Sequence, residues 1–145
     1  MKTRLCLAAL AAIAVFVGSL NAADEKPALK CPVSGQAAKA DKTAEFNGGS
    51  VEFCCGECPK AFAKDTKKFA AKANLQLVQS GQLKQIKCPL TARPVAADKS
   101  VEVEGVTVGL CCAGCLAKAK KVSGDELTAL LFTETEKGFE LTKKK

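Results

Sequence analysis

The stretch VEFCCGECPKAF sets Cys54 beside Cys55 and puts Cys58 three residues on, where an alternating pattern gives way to a helical one. The set recurs. Cys31, Cys54, Cys55 and Cys58 return as Cys88, Cys111, Cys112 and Cys115, each displaced by 57 residues. Both copies read C-P-x(21)-C-C-x(2)-C with no gap, the sign of an internal repeat. Thiols in this number and spacing suit three chemistries. They can hold a soft cation such as Cu(I) or Zn, exchange disulfides through the pairs Cys55/Cys58 and Cys112/Cys115, or staple a small exported fold. The chain has no histidine, which excludes mixed Cys/His zinc sites, Ser-His and Cys-His couples and any histidine general base. A transition-metal site here must be built mostly from sulfur.

The repeat extends beyond the cysteines. Ala40-Asp41-Lys42 matches Ala97-Asp98-Lys99, Glu45 matches Glu102, Gly48 matches Gly105 and Val51 matches Val108. Ser80-Gly81 stands against Lys137-Gly138. Two modules follow, 24–82 and 83–145. Each opens with a proline-bearing turn, CPVSGQ or CPLTAR. Alternating segments around Asn47-Gly48-Gly49 and around Glu104-Gly105 come next, the mark of a β-hairpin. Cys58 to about Ala73 then reads as one helix with Phe62 and Phe69 on its inner face and Lys60, Lys64, Lys67, Lys68 and Lys72 on much of the rest. In the second copy the helix runs from about Ala113 to Val122 and resumes from Gly124 to Phe132. Leu75 to Ile86 reads as a further hairpin or a short strand. The expected class is α+β: turn, hairpin and helix, twice over.

A module this small buries little surface and depends on a staple. Cys54 is expected to end the second hairpin strand, with Cys55 and Cys58 in the first helical turn. Residues three and four apart are neighbours on a helix, so these sulfurs converge at its N-terminus, where free amides and the dipole favour thiolate. Cys31 reaches the same point when the hairpin folds back. One ion per module would then be held by Cys31, Cys54, Cys58 and, in a four-sulfur site, Cys55, and likewise by Cys88, Cys111, Cys115 and Cys112. Two disulfides per module are the plain alternative, although an adjacent Cys54–Cys55 bond closes a strained ring. A redox CxxC is the other; a thioredoxin fold, however, needs a βαβ pattern and a longer chain. Asp41 and Asp98 are candidates for an oxygen ligand, or for beginning the turn before each hairpin.

The order of Cys31, Gly48, Phe53-Cys54, Cys58 and Phe62 resembles the YHS and TRASH families, small treble-clef-like modules of heavy-metal handling, including copper transport and sensing. The resemblance covers about 30–70 and 87–120. It implies metal-ligand roles for Cys31, Cys54 and Cys58, and through the repeat for Cys88, Cys111 and Cys115. The chain departs from those families in several ways. It has no Tyr-His-Ser, and it carries Ser34-Gly35 where Cys-Gly is usual. Cys55 and Cys112 stand where Ser is common, and Leu110 and Ala119 replace Phe53 and Phe62.

The first residues, MKTRLCLAALAAIAVFVGSLNAADEK, have the order of a secretory signal cleaved after Ala22 or Ala23. The apolar run is shorter than the roughly 20 residues of a membrane span. Cys6 is expected to leave with that peptide, so eight cysteines stay in a periplasmic or extracellular chain that does not span a membrane. Without Lys2 and Arg4, 20 basic residues face 15 acidic ones. That balance, the few aromatics and export argue against nucleic acid. Lys143-Lys144-Lys145 reads as solvated surface. With no partner for a nucleophilic cysteine and no phosphate-cradling loop, the chain reads as non-enzymatic. It is expected to take zinc or copper ions, one per module, in buffering, carriage or sensing, with a metal-transport or envelope protein as partner.

Overall fold

The structure, a computed structural model, describes residues 28–142. The signal segment with Cys6 and the Lys143-Lys144-Lys145 tail lie outside them. The chain is α+β, and it contains turn, hairpin and helix twice.

Each copy begins with a tight turn that buries its first cysteine. In the first, the Gly35 amide donates to the Cys31 carbonyl (2.8 Å) and the Cys31 amide to the Gln36 carbonyl (2.7 Å). Gly35 sits at φ 73°, in the left-handed region where glycine is unstrained. The second copy makes the same bonds from Ala92 to Cys88 (2.9 Å) and from Cys88 to Arg93 (2.9 Å), with Ala92 held at φ 56°.

Two hairpins follow. Strands β1 (Lys39–Phe46) and β2 (Gly49–Phe53) pair antiparallel, as do β4 (Ser100–Val103) and β5 (Val106–Gly109). Their two-residue turns, Asn47-Gly48 and Glu104-Gly105, have positive φ throughout, as a type I′ turn requires. Alternation puts Val51 and Phe53 inside in the first hairpin, and Val103 and Val108 inside in the second.

The helical regions depart from the expected single run. Helix α1 (Glu57–Lys64) stops at Asp65, whose carboxylate accepts from the Lys68 amide (3.2 Å) and starts α2 (Thr66–Gln79). This is an N-cap, which the continuous Phe and Lys pattern concealed. Phe62 and Phe69 therefore lie on different helices, yet their rings still meet at 6.4 Å. Helix α2 also takes in Leu75 to Gln79, so no hairpin forms between Leu75 and Ile86. Only β3 (Leu83–Gln85) is extended. In the second copy α3 (Ala113–Lys120) and α4 (Gly124–Phe132) fall close to expectation, and a one-turn 3-10 helix (Thr135–Lys137) leads to β6 (Phe139–Leu141).

Strands β3 and β6 are counterparts in the repeat, and they pair with each other in register Leu83↔Leu141, Lys84↔Glu140 and Gln85↔Phe139. The counterpart helices α2 and α4 also pack together. The two copies thus meet as the halves of a two-fold dimer do, like element against like. This contact explains why Ala73 to Leu77 are buried in succession on α2: the helix is covered by the first hairpin on one side and by α4 on the other. The buried polar groups of that segment are satisfied. Asn74 donates to the Phe132 carbonyl (2.8 Å). Gln76 accepts from the Glu52 amide (2.7 Å) and donates to the Glu52 carbonyl (2.8 Å), extending the β2 edge. Gln82 treats Ser50 in the same way, and Gln85 treats Gly109.

The first copy is packed by aromatics: Phe62 meets Phe46 at 5.3 Å and Phe53 at 5.4 Å, ring to edge. In the second copy Leu110 and Ala119 occupy the corresponding positions and are fully buried, while Phe132 and Phe139 pack together at 5.5 Å. Among the described residues no helix is long and apolar enough to cross a membrane.

Candidate metal centre

In each copy three sulfurs from three different elements come together. Cys31 arrives from the proline turn, Cys54 from the end of β2, and Cys58 from the first turn of α1. Cys88, Cys111 and Cys115 repeat this from the second turn, the end of β5 and α3. Within each trio all sulfurs lie within 4.8 Å of one another. Cys54 and Cys58 are 3.5 Å apart, and Cys111 and Cys115 3.7 Å. Thiolates about 2.3 Å from a tetrahedral ion sit roughly 3.8 Å from one another, so these spacings are those of a shared ion. Four of the six sulfurs are buried (Cys31, Cys58, Cys88 and Cys115), and Cys54 and Cys111 are half-buried.

Local bonding prepares two of these sulfurs for the charged form. At Cys31 burial works upward, but it is outweighed by hydrogen bonds from the Ser34 hydroxyl and the amides of Cys54, Ser34 and Val33, which bring the thiol down to about 6. At Cys88 burial is again opposed, by the Thr91 hydroxyl and the amides of Cys111 and Leu90, and the thiol falls to about 7. Cys58 goes the other way. Its burial, then its contacts with the Cys55, Cys54 and Cys31 sulfurs, push it upward. Cys115 is pushed up to about 12 by burial and by its neighbouring cysteines. A cluster of this kind cannot charge all its sulfurs unaided, because like charges in a dry site repel. A cation at the centre removes that conflict.

A second feature occurs in both copies. The Ser34 hydroxyl lies 3.1 Å from the Cys54 sulfur, and the Thr91 hydroxyl 3.1 Å from the Cys111 sulfur. Ser34 Oγ also accepts from the Gln36 amide (3.3 Å). Sequence reading passed over this pair. The matched hydroxyls three residues after Cys31 and Cys88 were the available signal.

Cys55 and Cys112 stand outside the trios. Both are exposed. Cys55 precedes α1 instead of lying in its first turn, and Cys112 occupies the N-cap position of α3. Cys55 nevertheless lies close to the Cys58 sulfur, at 3.3 Å. Its thiol is lowered by Cys58 and then by the amides of Cys58 and Glu57. Cys112 is lowered by the Cys115 amide and then by the Cys115 thiol.

Asp41 and Asp98 belong to neither trio. Asp41 lies on β1 instead of in a turn, in an exposed ion pair with Lys42 at 2.7 Å. Asp98 does lie in the turn before its hairpin, paired with Lys99. The hydrogen bond from the neighbouring lysine lowers each carboxyl.

No protein-family model matches the chain, and no curated protein or solved structure matches it. The functional reading therefore stands on the two trios. Each offers three thiolate donors and could hold a soft ion.

Proposed function

We propose that the chain is an exported, non-enzymatic protein that buffers, carries or senses copper or zinc, one ion per thiolate trio. The observation that carries this reading is the duplicated cluster itself. Two sets of three sulfurs, far apart in sequence, converge at matched positions with the spacing of a shared ion. Thiolate-only donor sets select Cu(I), zinc and similarly soft ions over harder ones. The likeness of the Cys31, Cys54, Cys58 pattern to YHS and TRASH modules supports the same reading, with Cys88, Cys111 and Cys115 as a second copy. Export rests on the first two dozen residues, with their basic start, apolar run and small-residue end.

Metal analysis combined with free-thiol counting, on protein isolated from its own compartment, tests the proposal. The expected result is about two ions per chain, bound under reducing conditions and released with the folding energy they supply. A chain with neither metal nor free thiols is a stapled domain, and the proposal then fails.

A redox carrier is the second reading, favoured by the 3.3 Å approach of Cys55 to Cys58 in a CxxC pair. The same measurement separates the two, since a redox carrier holds no metal and its thiols cycle between states.

A further inference from the structure

Each trio has a fourth sulfur beside it, and the placement of that sulfur is unequal in a consistent way. Cys31 and Cys58 are buried, Cys54 is half-buried and Cys55 is exposed, so the four form a path from interior to solvent. Cys88, Cys115, Cys111 and Cys112 repeat the gradient. Cys55 lies outside the mutually close set yet only 3.3 Å from one of its members, the Cys58 sulfur. The approach from solvent is open. A side chain built at Gly56 would meet nothing within 4 Å, and one at Gly114 would meet only the Cys112 sulfur itself, at 3.8 Å. A permanent fourth ligand would be drawn in among the other three; a sulfur needed only for packing would be covered.

Taking the trios as soft-metal sites, we propose that Cys55 and Cys112 are exchange ligands, through which each trio receives its ion from a partner that presents it on thiolates. The step is a ligand substitution without change of oxidation state. The bond from the ion to a donor sulfur breaks as a bond to Cys55 forms, and the proton shed by Cys55 goes to the departing donor sulfur. The ion then passes to Cys58, whose proton returns to Cys55 as that sulfur lets go. The second copy uses Cys112 and Cys115 in the same way. The return of the ion runs through the same bonds in reverse.

The test is the rate of Cu(I) uptake from the Cu(I)–glutathione complex, followed by stopped flow on the mature chain and on a Cys55→Ser/Cys112→Ser variant. Both positions are solvent-exposed, so the core is left intact. The variant is expected to load at least about tenfold more slowly, the loss of a positioned intramolecular ligand. Its final copper content and its equilibrium affinity should match the parent's. Equal loading rates would overturn the proposal. So would a loss of affinity as large as that of a Cys54→Ser/Cys111→Ser control, which would make Cys55 and Cys112 permanent ligands. A parent chain that takes up no Cu(I) would instead sink the metal-site reading on which the proposal rests.

Discussion

Cys54 and Cys111 each combine a half-buried sulfur with a hydroxyl 3.1 Å away, and the hydroxyl is a serine in one copy and a threonine in the other. What the two side chains share is the O–H group, so the hydrogen bond to sulfur is the element the repeat keeps. Such bonds orient a ligand and moderate its charge, and their removal ordinarily weakens a metal site by about ten- to a hundredfold. Ser34→Ala should therefore lower the ion affinity of the first trio alone by about tenfold or more. Competition with a chelator would show this as one weakened and one unchanged site; two unchanged sites would refute the role. Ala92 makes the opposite case. It holds a left-handed conformation that its counterpart Gly35 adopts freely, at a cost of about 1 kcal/mol or slightly more. Ala92→Gly should raise the stability of the metal-free chain by about 1 kcal/mol less the extra entropy of glycine, read as a higher midpoint in denaturant. The cysteine trios were legible because their spacing repeats without a gap. The gradient from buried to exposed was not, because residues 54 and 55 are adjacent in sequence and only the departure of the chain from β2 separates their sulfurs.

Element boundaries followed the same division between local and tertiary causes. The hairpins were legible at Asn47-Gly48 and Glu104-Gly105, since those dipeptides specify their own turn. The break at Asp65 was hidden because the apolar pattern runs across it, although an aspartate followed by threonine is a helix start in its own right. The path from Leu75 to Ile86 depended on contacts made by the other copy. Residues with little periodicity, such as Asn74 and Gln76, are helical and buried because α4 and the β2 edge offer them partners. Gln76 illustrates the energetics. Its amide closes two bonds to the Glu52 backbone and a third to the Lys30 carbonyl (3.0 Å). Lys30 immediately precedes Cys31, so one side chain ties the first turn to the hairpin that carries Cys54. Gln76→Ala leaves these groups without partners in a site that is about 1% exposed. It should cost about 2–3 kcal/mol. Denaturant unfolding would check the magnitude, and a change below about 0.5 kcal/mol, the usual range of an uneventful surface substitution, would contradict it.

At the scale of the whole molecule the two copies form one body. Counterpart strands β3 and β6 pair, and counterpart helices α2 and α4 pack. Gly138 seals the junction. A side chain there would come within 2.8 Å of both the Lys87 carbonyl oxygen and Pro89 Cα, beside the turn that presents Cys88. Its carbonyl accepts from the Ile86 and Lys87 amides (2.8 and 3.1 Å). The C-terminal strand thus supports the second trio's turn and pairs with β3, which follows α2 of the first copy. Phe139→Ala removes a buried ring from this junction and should cost about 3 kcal/mol or more. Both copies should melt together in a single lowered transition. Two separate transitions, with the first copy unaffected, would show the halves to be independent. The absence of histidine leaves sulfur as the chemistry that the two matched clusters present.

Sulfur coordination of the bound ion is the most direct measurement. X-ray absorption at the metal edge, on the loaded chain, should show three to four sulfur neighbours at about 2.3 Å for zinc, with about two ions per chain. A first shell of oxygen or nitrogen, or an ion bound with the Cys54 and Cys111 thiols still free to react, would contradict the account.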